Sequence, residues 1–172
     1  MGTASEEPDT AKRLRFLLPG RGPAYWVGVG GGLGLLKPAP GTWGSLLGLP
    51  LGWWVASWEP LLAVMWWVFL LAAAWACCRP ACEALGSKDP GAFVADEYAA
   101  LAGVFLLVPF GVVPLDWVTF AGAFGLFRLF DIWKPWPVSV FDRMGGAAGV
   151  MLDDVVAAIY AAAGLALLRT VV

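Results

Sequence analysis

Leu61-Leu-Ala-Val-Met-Trp-Trp-Val-Phe-Leu-Leu-Ala-Ala-Ala-Trp-Ala-Cys-Cys78 is an eighteen-residue run with neither a charge nor a proline. A run of that length and polarity reads as a helix built for lipid, because a spanning helix needs roughly 20 mostly apolar residues. Pro60 lies just ahead of it, where a helix start tolerates proline. Four more apolar segments follow the same reading: 45–58, 98–113, 117–130 and 150–168. Several are shorter than a comfortable span, and Pro50 and Gly52 in the first predict a kink or a re-entrant turn. With 60% hydrophobic residues, 11 Trp and a mean hydropathy of +0.74, the chain reads as an all-α polytopic membrane bundle of about five apolar helices with charged loops.

The length of 172 residues predicts one domain over 23–172, preceded by a disordered, basic tail over 1–22. Residues 1–10 are polar and acidic, with no apolar core before a cleavage site, and so do not form a secretory signal. A net charge of −2, with no basic run beyond Lys12-Arg13-Leu-Arg15, argues against a nucleic-acid partner. Loop charge sets the orientation. Lys12, Arg13, Arg15, Arg21 and Lys37 precede the first segment, Arg79 and Lys88 follow the second, and Lys134 and Arg143 separate the fourth from the fifth. The intervening loops carry only Glu59 and Asp116, which predicts a cytoplasmic N-terminus and a C-terminus on the far side. Arg169 is the single contrary charge.

The chain has no histidine, which removes Ser-His-Asp triads, histidine nucleophiles and typical zinc hydrolases. Cys77, Cys78 and Cys82 fall in apolar helical sequence and offer no disulfide framework. No phosphate-loop signature is present, and Gly28 to Gly34 reads as a closely packed, glycine-rich helix. Hydrolytic chemistry here must run on carboxylates, Lys or Arg, hydroxyls and a metal.

Those groups are concentrated. Asp131, Lys134, Asp142, Arg143, Asp153 and Asp154 fall within 24 residues of a chain that is only 14% charged. Ionisable groups beside membrane-grade sequence are costly to place and mark a functional site. Arg128, Asp131 and Lys134 share a helix face at i, i+3 and i+6. They form either an interfacial ion-pair ladder or a phosphate site, with Asp131 activating water or attacking directly and Arg128 and Lys134 clamping the phosphate. Asp96-Glu97 and Asp153-Asp154 are adjacent acid pairs that each lead into apolar helix, where like charges repel unless a cation neutralises them. Solvated charge is the plain alternative, and a Mg²⁺ site on Asp96, Glu97, Asp153 and Asp154 is the sharper reading. Thr42 and Ser45, in Gly41-Thr-Trp-Gly-Ser45, open the first apolar segment and serve either as caps or as hydrogen-bond donors to an anion. Asp89 reads as a cap for the third segment. Asp142 and Arg143 order their loop, with substrate contact by Arg143 as the alternative.

Taken together these motifs resemble the phosphatidylglycerophosphatase A family. The matching pieces are Pro40-Gly-Thr-Trp-Gly-Ser45, Gly91-Ala-Phe-Val94-Ala-Asp96-Glu97, Phe127-Arg128-Leu-Phe-Asp131-Ile-Trp-Lys134-Pro135-Trp-Pro137, Phe141-Asp142-Arg143 and Gly149-Val-Met-Leu-Asp153-Asp154. The resemblance implies a helical fold around a central helix, and a Mg²⁺-dependent phosphatase of the bacterial inner membrane. Its substrate would be phosphatidylglycerophosphate, an anionic phospholipid, met at the cytoplasmic face. A small transport or scaffold protein, or a phosphatase for another anionic headgroup, is the competing reading. A transporter would place its charges near the bilayer midplane, whereas these fall at segment ends.

Overall fold

The computed structural model describes residues 22–86, 90–144 and 146–171. Asp89, Lys88, Arg21 and nearly all of the proposed tail lie outside the described residues. Among the described residues the fold is entirely helical, with no strand. Seven α-helices follow one another among the described residues: α1 Pro23–Gly28, α2 Pro40–Ala56, α3 Pro60–Leu85, α4 Ala95–Val104, α5 Trp117–Trp133, α6 Val138–Asp142 and α7 Gly146–Leu168.

Proline opens α1, α2 and α3 within the first turn, where its missing N–H costs nothing. Gly86, at φ 74°, closes α3 in the left-handed conformation that glycine adopts without strain. Asp116 caps α5 by accepting from the Thr119 amide at 3.0 Å. The expected glycine-rich helix from 28 to 34 is instead broken. Gly31 and Gly32, at φ 65° and 109°, turn the chain sharply, since left-handed backbone interrupts a helix. Close packing does hold there: a Cβ on Gly28 would lie 2.6 Å from that of Ala81. Pro50 does not divide α2, which runs unbroken through it.

The centre of the molecule is α4, buried on nearly every face. Gly44, Gly48 and Gly52 form a stripe on α2, and Cβ atoms added there would strike Val94, Leu101 and Phe105. Small residues at four-residue spacing let two backbones approach closely, the main source of helix association where lipid cancels the hydrophobic drive. On the other side the Trp67 indole of α3 donates to the Ala99 carbonyl at 3.1 Å and fills the space above Gly103. Helices α5 and α7 pack against each other and against α4 through Phe127, Ala123, Ala157, Ala161 and Leu165. Their antiparallel contact is fastened at both ends, by Lys134 to Asp153 at 2.8 Å and by Arg169 to Asp116. Arg169, a stray charge in the sequence, is therefore a structural clamp.

Two helices, α3 and α7, are long and apolar enough to cross a membrane. At 1.5 Å per residue they measure about 39 and 35 Å, against about 30 Å of hydrocarbon. Only 17% of the apolar window in α3 is buried by protein, so most of that surface, including Leu61, Met65, Val68 and Phe69, faces outward. The 17-residue helices α2 and α5 reach about 25 Å and α4 is shorter still, so five full spans are not established by helix length. The alternation is nonetheless regular. The start of α2, the end of α3, the start of α4, the end of α5 and the start of α7 all gather at one end, where Ser45, Glu97 and Arg128 bond to one another and Lys134 bonds to Asp153.

Candidate active site

That shared end holds a cleft of about 330 Å³. Asp96, Glu97, Asp131, Lys134, Asp142, Arg143, Asp153 and Asp154 line it, with Phe93, Met144 and Val150 as its apolar wall. Segments separated by up to 58 residues (96 to 154) thus deliver eight of the charges singled out in the sequence to one concavity.

Each side chain is positioned by a local cause. Asp96 and Glu97 occupy the first turn of α4, where free amides and the helix dipole favour acids, and the Glu97 amide donates to Asp96 Oδ1 at 2.9 Å. Asp153 and Asp154 lie two turns inside α7, which begins at Gly146 rather than at the acid pair as the apolar pattern suggested. Gly149 permits this, because a Cβ there would collide with the Met144 carbonyl where the α6–α7 loop folds back over the helix. Asp96, Asp153 and Asp154 are only 6%, 7% and 4% exposed. Buried charge must be paired or neutralised.

Of the ladder that Arg128, Asp131 and Lys134 could build, only the rung between Arg128 and Asp131 forms. Helix α5 ends at Trp133, and Lys134 takes the left-handed conformation at φ 48° ahead of Pro135. A non-glycine residue in that region is strained, which is common at functional sites. The turn swings Lys134 away from the helix face, and its Nζ meets Asp142 and, at 2.8 Å, Asp153 Oδ2. Burial alone would lower the Lys134 pKa, but hydrogen bonds to Asp142 and Asp153 outweigh it and hold the ammonium above its usual range. Two of its three donors are engaged, leaving one for a ligand. Arg143 lines the cleft, exposed, and forms no ion pair with a described residue.

Behind the cleft wall lies a second layer. Arg128 Nη1 donates to Asp131, to Glu97 at 2.9 Å and to the Ser45 hydroxyl at 3.3 Å, and Arg128 does not line the cleft. Ser45 has no exposed surface, and its hydroxyl donates towards Glu97 Oε2 at 2.7 Å and the Gly41 carbonyl at 2.8 Å. Ser45 is therefore not the cap of α2, which starts at Pro40. Thr42 is also outside the lining. Of Thr42, Ser45 and Arg128, each expected at the phosphate, none lines the cleft: Ser45 bonds Glu97, and Arg128 bonds Glu97 and Asp131, from behind it. Gly41 belongs to the same layer, since a Cβ there would overlap the Glu97 carboxylate. That requirement was legible only as a glycine inside Pro40-Gly-Thr-Trp-Gly-Ser45.

Burial dominates the electrostatics of the acids. Burial first, and then the charge of Glu97, pushes Asp96 well above the carboxylate range. Burial also lifts Glu97 to about 7, against the pull of Arg128 and the Ser45 hydroxyl. Asp153 Oδ1 is buried and has no hydrogen-bond partner among the described residues. Hard oxygen donors with an orphaned buried oxygen fit Mg²⁺ in kind. The side chains do not form a finished cage, because no three acids among the described residues stand close enough together to hold a metal ion.

Comparison with known proteins gives this arrangement its context. The model of the family described as phosphatidylglycerophosphatase A matches residues 26–169. A phosphatidylglycerophosphatase A of Haemophilus influenzae is 41% identical over 146 residues, covering 81% of this chain and 84% of the relative. The Escherichia coli protein of the same name is 34% identical over 148 residues, covering 81% and 80%. A Bacteroides thetaiotaomicron protein named as a candidate phosphatidylinositol-3-phosphatase is 35% identical over 158 residues, covering 85% and 93%. No solved structure matches the chain. A helical bundle with such a cleft and such relatives is a phosphoric monoester hydrolase. The chain belongs to the phosphatidylglycerophosphatase A family.

Proposed function

We propose that this chain removes the terminal phosphate of phosphatidylglycerophosphate, in a Mg²⁺-dependent reaction at the cytoplasmic face of a bacterial inner membrane, leaving phosphatidylglycerol. The observation that carries the reading is the convergence on a single cleft of two acid pairs, with Asp96, Asp153 and Asp154 buried, one partly engaged lysine, and an arginine that forms no ion pair with a described residue. Family membership supports the substrate.

Phosphoryl transfer to water needs a positioned nucleophile and neutralised phosphate charge more than it needs covalent chemistry. Arg143 and the third donor of Lys134 bind the phosphate oxygens. Asp131 takes the proton of the attacking water, and Arg128, held by Glu97 and Ser45, fixes the orientation of Asp131. Mg²⁺ on Asp96, Glu97, Asp153 and Asp154 would neutralise charge on the phosphoryl group. Phe93, Met144 and Val150 limit the water that reaches the phosphate.

In the proposed topology the five apolar segments alternate across the membrane, the cleft end faces the cytoplasm and α4 lies sheathed by its neighbours. Outward-facing Trp53, Trp54, Phe69 and Trp75 support contact with lipid, and the clustering of acids at one end speaks against a transport path at the midplane. The Bacteroides relative favours keeping one second reading, a different anionic headgroup. Phosphate release by purified protein tests both. Phosphatidylglycerophosphate should be turned over with Mg²⁺ and spared with EDTA, while preferential turnover of a phosphorylated inositol lipid would move the assignment to the second headgroup.

A further inference from the structure

A second cavity of about 550 Å³ adjoins the catalytic cleft, between the last turns of α3 and the first turn of α7. Cys78 and Cys82 form one wall, Gly146 and Ala147 the other, and Arg79 and Glu83 hold each other at 2.9 Å on its exposed rim. Gly146 lines both cavities, so the two open side by side at the same end of the bundle.

The two spaces differ sharply in chemistry. The cleft is walled by acids and bases, whereas the second trough is walled by sulfur, methyl and glycine backbone. Among the described residues that line it, the only charged side chains, Arg79 and Glu83, neutralise each other at the rim. Such a wall orients no polar ligand and accommodates hydrocarbon. The trough owes its width to small residues: two cysteines one helical turn apart face Gly146 and Ala147, where leucine or phenylalanine would fill the gap. It also adjoins α3, whose apolar surface is mostly uncovered by protein, so its occupant can arrive sideways from lipid.

We infer that the trough seats the first part of an acyl chain of the lipid substrate while the phosphate monoester occupies the cleft. The inference rests on the lipid-phosphatase reading above and adds to it a subsite that selects for hydrocarbon attached to the headgroup. A monoester anchored at both ends is held with its phosphorus beside Asp131, whereas a soluble monoester is held by its phosphate alone.

The test compares two substrates with the same headgroup, dioleoyl phosphatidylglycerophosphate and its fully deacylated counterpart, on the purified full-length protein in mixed micelles with Mg²⁺. Wild type should favour the diacyl substrate in kcat/KM. Ala147→Phe fills the trough from a half-buried position and should cut that preference about tenfold or more, through KM for the diacyl substrate, as expected when a few methylenes lose an apolar pocket. Ala147→Val, a smaller filling, should move the preference in the same direction and serves if the larger variant does not fold. A folded variant whose preference matches wild type overturns the trough and leaves the phosphatase reading standing. Turnover of neither substrate by wild type overturns the phosphatase reading, and the trough falls with it.

Discussion

Replacing Asp131 with asparagine separates chemistry from architecture in this site. Asparagine keeps the shape of the side chain and removes its charge and basicity. Arg128 would still hold Glu97 at 2.9 Å and Ser45 at 3.3 Å, so the layer behind the cleft survives. The loss to the fold is at most one charge-assisted hydrogen bond between side chains that are 17% and 14% exposed, about 1.5–3 kcal/mol. A general base contributes about 10²- to 10⁴-fold in rate, which is about 3–5 kcal/mol of transition-state stabilisation. Asp131→Asn should therefore lower kcat for phosphate release at least 10²-fold. It should still insert, still unfold cooperatively in detergent and still bind substrate. Phosphate release, thermal unfolding and substrate binding on the same preparation check all three. Turnover within about threefold of wild type, a change far below what a general base supplies, would refute the assignment and leave Asp131 as an ion-pair partner only.

Asp96→Asn and Asp153→Asn should each cost about 10²-fold in Mg²⁺-supported rate and weaken the rise in thermal stability on adding Mg²⁺; near-full Mg²⁺-dependent activity in both would remove the acid pairs as cation ligands. Lys134→Ala should raise KM more than it lowers kcat, because the ammonium binds phosphate oxygens without entering the proton transfer, and steady-state kinetics on one lipid series decides between the two. The Lys134 ammonium is held above its ordinary pKa, so it stays charged throughout the neutral range and is lost only as pH rises past that raised value; pH–rate profiles of wild type and Lys134→Ala should run parallel between about pH 6 and 9. Reporter fusions after Val172 and between Arg143 and Gly149 should report opposite sides of the membrane, and agreement between them would exclude an odd number of crossings.

The sequence by itself determined the helical class, the approximate course of the long helices and the identity of the charged residues that meet. Composition and hydrophobic runs are local properties, and the physics that reads them is local too: eighteen uncharged residues from Leu61 to Cys78 have few alternatives to helix. Charges in apolar sequence were conspicuous for the same reason. Tertiary structure alone decided how those charges divide their work. The backbone turn at Lys134 breaks the i, i+3, i+6 register and sends that lysine to Asp142 and Asp153, an outcome that depends on a strained φ held by packing. Hydroxyls and guanidiniums bind phosphate, which is how Ser45 and Arg128 read in the sequence; that both bond Glu97, contributed by another helix, only the structure shows. Gly41 and Gly149 have meaning only once the Glu97 carboxylate and the Met144 carbonyl are pressed against them. Residue type limits what a side chain can do; which neighbour it meets depends on contacts between distant segments, and only the packed bundle brings those together.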